Sequence, residues 1–350
     1  MKIAVLTSGG VDSSVALKIL KDQGHDLTAY YLKIWLEDEL SFLGDCPWEE
    51  DLSYVRQICE RENVPLKVVS LQKEYFDTVV KYTIDAVKAG LTPNPDVMCN
   101  SLIKFGFFLS KIDESYDKIA TGHYAQIEEK EGSYLLKRAP DKIKDQTYFL
   151  ANLKQDQIRR LIFPIGELSK EDVRRLAHEY DLPNKDRKDS QGICFLGKLK
   201  YNNFIKHYLG ISPGDIIEYE TGKKLGTHEG FHYYTIGQRK GIKLPDGPWF
   251  VVDKDSSKNT VLVSKQYHSP DMERSKLQVG NFNWFGGSAP KKTSLQVKLR
   301  HGEHLYDCEI TDMNRRHATL KLNQNDQGIA PGQFAVFYDG NLCLGSAVIS

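Results

Sequence analysis

Ile3-Ala4-Val5-Leu6-Thr7-Ser8-Gly9-Gly10-Val11-Asp12-Ser13-Ser14 stands at the head of the chain and decides its fold. The apolar run Ile3 to Leu6 reads as a short buried strand. After the Thr-Ser-Gly-Gly turn, Val11, Val15, Leu17, Ile19 and Leu20 recur at helical spacing up to Gly24. Working outward, residues 27–32, 66–71 and 118–121 are predicted strands, and residues 52–62 and 75–88 carry helical patterns. Strand and helix in alternation predict a parallel sheet with helices on both faces. Ligands of such sheets bind outside the carboxyl ends of the strands, where the loop after Leu6 lies.

That loop is built for an anion. Its two glycines permit a tight turn and a close approach, while Ser13, Ser14 and the amides of the helix start can donate to phosphate oxygens. No Gly-Lys-Ser/Thr ending follows, so it is not a Walker-type loop. It resembles the loop of the ATP-pyrophosphatases. The resemblance implies ATP as ligand, held through Leu6, Thr7, Ser8, Gly9, Gly10, Val11, Asp12 and Ser13. Mg²⁺ is expected to arrive with the phosphates, with Asp12 as a contact and no dedicated protein metal site. Amidotransfer ligases and tRNA-thiolating enzymes share this loop, and no glutaminase unit stands out in the chain.

Farther along, residues 151–182 read as helical, with Ser169 followed by Glu171 and Asp172 as an N-terminal signal. From about residue 200 glycine and proline recur, and short β-rich runs occur at 231–236, 250–252, 261–263, 295–299, 318–322 and 334–338. The expected organisation is α/β: a parallel-sheet nucleotide-binding domain over 1–199, helical and RNA-contacting from about 137; a small β-rich central domain over 200–270; and a C-terminal β-barrel over 271–350.

The 350 residues are 40% hydrophobic and 27% charged, which excludes disordered and fibrous classes. No apolar run approaches the length of a bilayer span, and six cysteines at scattered spacings suit a reducing, cytoplasmic setting. No Cys/His pair has zinc-ligand spacing. The 47 basic and 47 acidic residues give a net charge of zero, which taken whole argues against a nucleic-acid partner. Divided, the charge reverses that inference. Residues 1–136 hold 14 basic against 22 acidic side chains and residues 137–350 hold 33 against 25, a polarity of −8 and +8. The acidic excess is densest from Glu37 to Asp51, read as a solvated loop or a contact for a basic partner.

Two cysteines lie in reactive contexts. Pro93-Asn94-Pro95-Asp96-Val97-Met98-Cys99-Asn100 is a stiff loop ahead of a helical run, and its Cys99 falls near a helix start, where amide dipoles favour a thiolate. Cys194 lies between glycines in Ser190-Gln191-Gly192-Ile193-Cys194-Phe195-Leu196-Gly197. Cys59, Cys308 and Cys343 are read as buried small hydrophobes. Cys46, beside Pro47, takes the same reading less readily.

With Thr121-Gly122-His123-Tyr124, Lys144-Asp145-Gln146-Thr147-Tyr148-Phe149-Leu150, Tyr234 to Gly241 and Pro331-Gly332-Gln333, these stretches resemble the tRNA-specific 2-thiouridylases along the whole chain. The resemblance implies ATP-dependent replacement of the C2 oxygen of a wobble uridine by sulfur, in tRNAs for glutamate, glutamine and lysine. Cys194 would carry a persulfide received from a cysteine desulfurase or sulfur-relay protein. Cys99 would attack that persulfide or release sulfide from it, and Asp96 would act as general acid or base. Leu32, where the family has methionine, and Gly122 would contact the nucleotide; His123 would touch it or support the strand end. Asn94, Pro95 and Asp96 would face the target base, and Lys144, Asp145, Gln146, Arg300 and His301 the tRNA, with Asp145 or Gln146 reading bases. A ligase acting on a small molecule and a nucleotide-binding redox sensor using a Cys99–Cys194 disulfide are the competing readings. The basic C-terminal part and the paired cysteine loops argue against the ligase; the sensor would switch thiols without turning over ATP.

Overall fold

The computed structural model of the chain describes residues 1–34, 48–189, 201–267 and 274–350. Cys46 and Cys194 lie outside the described residues, as does most of the acidic stretch.

The expected parallel sheet is present. Strands β1 (Lys2–Leu6), β2 (Asp26–Lys33), β3 (Leu66–Ser70), β4 (Lys118–Ala120) and β7 (Leu161–Ile162) lie in the order β3-β2-β1-β4-β7, with every pairing parallel. Helix α1 (Val11–Asp22) has few exposed positions because both of its flanks are covered. Leu17 and Leu20 pack with Ile3 and Val5 of the sheet, and Val11, Val15 and Ala16 pack with Val173 and Ala177 of the Lys170–Glu179 helix. Burial of each such valine, leucine or isoleucine side chain is worth about 1.5–3 kcal/mol. Ser169 caps that second helix as its sequence predicts, accepting from the Asp172 amide at 3.1 Å.

Three expectations need correction. Residues 151–182 are not continuously helical: a single turn at Gln155–Ile158 leads into the edge strand β7 before the Lys170–Glu179 helix begins. Residues 231–236 form a 3₁₀ turn at Phe231–Tyr233 rather than a strand, because Gly230 (φ 155°) bends the chain and the Tyr233 and Tyr234 amides bond back to Gly230 and Phe231. The region after 137 also begins within a hairpin absent from the sequence reading, β5 (Ala125–Lys130) and β6 (Ser133–Arg138). Its alternation is weak, since β5 runs out into Glu128, Glu129 and Lys130.

The central unit is a four-stranded sheet, β10 (Phe250–Asp255), β11 (Thr260–Ser264), β8 (Gly214–Glu218) and β9 (Lys224–His228) in that order. The C-terminal unit is a closed barrel. Strands β12 (Lys276–Trp284), β15 (His317–Leu322), β14 (Tyr306–Thr311), β13 (Ser294–Lys298), β16 (Phe334–Asp339) and β17 (Leu342–Ile349) pair in turn, and β12 pairs back onto β17. The hairpin strand β6 joins the barrel through Leu342 opposite Lys137 and Cys343 opposite Leu136. The barrel is thereby fixed to the nucleotide-binding domain.

Candidate active site

The loop Thr7–Gly10 leaves the carboxyl end of β1. The Thr7 amide still bonds to the Tyr30 carbonyl at 2.9 Å, and β2 runs on past Tyr30, which places Leu32 beside the loop. Gly9 has φ 71° and lies so near Asp51 that a Cβ would sit 2.5 Å from its carbonyl oxygen. Only glycine fits there. Gly10 is extended, and α1 starts without a side-chain cap. An uncapped start of a twelve-residue helix, flanked by Ser8 and Ser13, presents the donor set that a polyphosphate requires. The residues therefore fit the phosphates of ATP.

Several residues that the sequence reading did not assign hold this loop. Asn184 is buried and donates from Nδ2 to the Gly9 carbonyl (2.8 Å) and to Ser14 Oγ (2.9 Å). Arg187 donates to the same carbonyl at 3.0 Å, pairs with Asp51 and lies over the Tyr54 ring. Asp12 Oδ1 accepts from Lys170 Nζ at 2.6 Å and from the Tyr124 hydroxyl at 2.9 Å. Burial and then the Asp12 charge push the Tyr124 hydroxyl well above its ordinary range. In this arrangement Asp12 does not fit as a direct Mg²⁺ ligand through that oxygen, since Lys170 would first have to leave. Lys170 also reaches Asp189 (2.8 Å), which gathers Lys144 (2.9 Å) and Arg174 as well. Burial opposes its charge, but the bonds from Lys170 and Lys144 prevail and hold the Asp189 carboxyl well below the usual range.

Residues 121–124 link this loop to the helical stretch that carries Cys99. Gly122 packs against α1 so closely that a Cβ would sit 2.7 Å from Asp12 C and Ser13 N. Its lack of a side chain is accounted for by that approach as well as by any ligand. His123 Nδ1 lies 2.7 Å from Thr121 Oγ1, and its ring meets Phe105 at 6.0 Å. Burial lowers the imidazole pKa, which favours the neutral ring. Phe105 belongs to the helical stretch that carries Cys99. Asn94 caps that stretch by accepting from the Val97 amide at 3.2 Å, Pro95 takes the first turn, and the winding widens to π type from Cys99 to Phe107. Such widening recurs at functional sites. Here Gln157 satisfies the displaced carbonyls of Ser101 (2.8 Å) and Phe105 (2.7 Å). Cys99 is 1% exposed, and Asp96 lies one turn earlier.

The barrel closes on the same region. Gln333 reaches across and donates to the carbonyls of Thr92 (3.0 Å) and Pro93 (3.2 Å), fixing the approach to Asn94. Pro331-Gly332-Gln333, which the sequence marks only as a shared stretch, thus braces the loop ahead of Asn94. The His301 ring lies tilted against Phe149 with centroids 4.5 Å apart, and Arg300 pairs with Asp326 at 2.6 Å.

Asp145 departs from its expected role. It is fully buried, accepting from Lys298 Nζ (2.9 Å), Arg138 Nε (3.1 Å) and Thr147 Oγ1 (2.8 Å). Burial alone would raise its pKa, yet Lys298 and its other donors hold it below the ordinary carboxylate value. A carboxylate so enclosed cannot read a base. Its neighbours Lys144 and Gln146 are partly exposed, although Gln146 Oε1 is already taken by the Tyr124 amide at 3.0 Å.

A glycine-rich, non-Walker loop at the carboxyl end of β1 defines a nucleotide-binding α/β protein of the ATP-pyrophosphatase kind. The family signature "tRNA methyl transferase HUP domain" matches residues 1–198, the "tRNA methyl transferase PRC-barrel domain" residues 202–265 and the "Aminomethyltransferase beta-barrel domain" residues 274–349. A tRNA-specific 2-thiouridylase MnmA of Parabacteroides distasonis is 47% identical over 100% of this chain and 99% of its own length. One from Porphyromonas gingivalis is 45% identical over 100% and 99%, and MnmA 1 of Bacteroides thetaiotaomicron 44% over the full length of both. The chain belongs to the tRNA-specific 2-thiouridylase family of tRNA sulfurtransferases.

Proposed function

We propose that the protein exchanges the C2 oxygen of a wobble uridine in tRNA for sulfur at the expense of ATP. The observation that carries this reading is the bridge made by residues 121–124, which touches Asp12 and Ser13 of the nucleotide loop on one side and the Cys99-bearing helix on the other. Activation at phosphorus and chemistry at sulfur need such neighbouring sites.

ATP supplies a leaving group: the uracil C2 oxygen attacks the α-phosphorus, pyrophosphate departs, and AMP remains on that oxygen. The uncapped start of α1 and the serines hold the phosphates, and Asp96 takes and returns the N3 proton of the uracil. Mg²⁺ bound to those phosphates would offset the charge of the departing pyrophosphate. The terminal sulfur of a Cys194 persulfide, supplied by a cysteine desulfurase or sulfur-relay protein, then adds at C2 and AMP leaves. The Cys99 thiolate attacks the Cys194 sulfur and releases 2-thiouridine, or attacks first and frees hydrosulfide as the nucleophile. Both routes end in a Cys99–Cys194 disulfide, which an external dithiol must reduce before the next turnover. Asn94 and Pro95 flank the target base, and Lys144, Gln146, Arg300 and His301 position the tRNA, whose identity is expected among the glutamate, glutamine and lysine acceptors.

The test is reconstitution with unmodified tRNA, ATP, Mg²⁺ and a persulfide source, followed by nucleoside mass spectrometry. Formation of 2-thiouridine supports the assignment. Its absence with folded protein and an active donor overturns it.

A further inference from the structure

A cleft of about 200 Å³ lies between the nucleotide-binding domain and the central sheet. On one side it is lined by Thr92, Pro93 and Pro95, the loop that leads into Asp96 and Cys99; on the other by Tyr234, Thr235 and Lys254, with Tyr201 between them. The loop side is held in place. The Thr92 amide donates to the Pro331 carbonyl at 2.7 Å, Gln333 holds the Thr92 and Pro93 carbonyls, and the Asn94 amide meets the Tyr82 hydroxyl at 3.4 Å. Gly332 is packed so tightly on this loop that a Cβ would sit 2.9 Å from Leu91 Cβ.

Lys254 is the unusual member. Around the nucleotide loop each of these cations reaches a carboxylate: Lys144, Lys170 and Arg174 converge on Asp189, and Arg187 holds Asp51. Among the described residues the Lys254 ammonium has no ion pair or side-chain hydrogen bond, and no carboxylate lines the cleft. The adjacent Asp253 acts on it only through space, and burial pushes it down to about 8. Lys254 is half-buried; an ammonium partly withdrawn from water without a counter-ion is unfavourable, and an anion entering the cleft would relieve that cost. The space is too small for a folded partner and suits about one nucleotide unit. Its tyrosines offer faces against which a sugar or base can lie.

We propose that this cleft takes a phosphodiester of the RNA strand adjoining the target uridine, with Lys254 as the phosphate-neutralising residue and Tyr201 and Tyr234 flanking the attached sugar or base. The inference rests on the tRNA-thiolation reading and adds a subsite to it. The target-base loop forms one wall of the cleft, so a strand that presents its uridine to Asp96 passes the mouth of the cleft with its neighbouring linkage. A free nucleotide or inorganic phosphate offers the same chemistry, and the experiment separates the sources.

Dissociation constants of the full chain for an anticodon stem-loop RNA are measured over a range of salt concentrations, for wild type, Lys254→Met and Lys254→Arg. Losing one phosphate contact in a single-stranded segment should reduce the slope of log affinity on log salt by about 0.7 and weaken binding about tenfold at moderate salt. Lys254→Arg should retain the slope. RNAs with one methylphosphonate linkage at a time should include one that weakens wild type about tenfold but leaves Lys254→Met unchanged. Equal affinity and slope in wild type and Lys254→Met overturn the proposal. So does a loss of ATP or inorganic phosphate binding in Lys254→Met with RNA binding intact, since the anion is then not the RNA's. Urea unfolding of all three proteins checks the fold, and a slope lost equally in Lys254→Arg also counts against the charge. A wild type that binds no stem-loop removes the thiolation reading itself; one that binds and thiolates RNA with Lys254 immaterial removes only the subsite.

Discussion

Replacing Asp145 by asparagine tests the buried-anchor role that the structure gives it against the base-reading role expected from the sequence. The carboxylate and the Lys298 ammonium are both fully enclosed, 2.9 Å apart, and Arg138 is 11% exposed. Asp145→Asn keeps the shape and the Thr147 bond but leaves two cations without their counter-charge. Removing one partner of a buried pair costs about 3–5 kcal/mol, and the hydrogen bonds that asparagine retains place this case near 3. Lys298→Met should cost a similar amount, about 3 kcal/mol, since Asp145 still has Arg138 and Thr147. The Asp145→Asn/Lys298→Met double variant should be no worse than the poorer single. Urea unfolding followed by tryptophan fluorescence includes a barrel signal, because Trp284 packs on Phe337 at 4.8 Å. The depressed Asp145 carboxyl fixes the sign of the pH dependence. Its contribution is fully present above the unfolded value of about 4 and declines as the pH falls from there through the folded value, so wild type and Lys298→Met should converge in acid. The reasoning is refuted if Asp145→Asn unfolds within about 1 kcal/mol of wild type yet binds tRNA much more weakly, for Asp145 would then face the RNA.

Gly122→Ala drives a methyl to 2.7 Å from the backbone of Asp12 and Ser13 and should displace the start of α1; calorimetry should show ATP affinity reduced at least about tenfold with the far-ultraviolet spectrum unchanged. Tyr124→Phe removes one hydrogen bond to Asp12 and should cost about 1–2 kcal/mol of nucleotide affinity, read as a raised KM for ATP with kcat little changed. Cys99→Ser and Cys194→Ser should each abolish 2-thiouridine formation by mass spectrometry while gel-shift affinity for tRNA is retained; a thiolating Cys194→Ser protein excludes its persulfide role. Burial pushes the Cys59 thiol up to about 11 and the Cys308 thiol to about 12, so peptide mapping after iodoacetamide at neutral pH should find both unmodified in the native protein and modified in urea.

What could be read from the sequence follows from the range of the interaction involved. The start of the chain was legible because its signals are local: Gly9 must turn, Val11 to Leu20 repeat with helical period, and Ser169 caps with a residue three positions on. The loop around Cys99 announced itself through Asn94 and Pro95 in the same way. Asp145 did not, because its partner Lys298 is 153 residues away and no pattern near either position records the pairing. Chain order places Asp145 among Lys137, Arg138, Lys142 and Lys144, which invites an RNA-facing reading; the fold turns Arg138 and Asp145 inward and leaves Lys142 and Lys144 exposed or partly so. The polarity of −8 and +8 is subject to the same sorting. Lys298, Lys170 and Arg187 count toward the positive end, but each is ion-paired with a carboxylate, so they contribute to architecture before they contribute field. Lys254 counts equally in the sum and has no such partner among the described residues. Attraction for RNA therefore depends on which cations remain uncompensated after folding, a quantity that the composition does not contain and the contact geometry does.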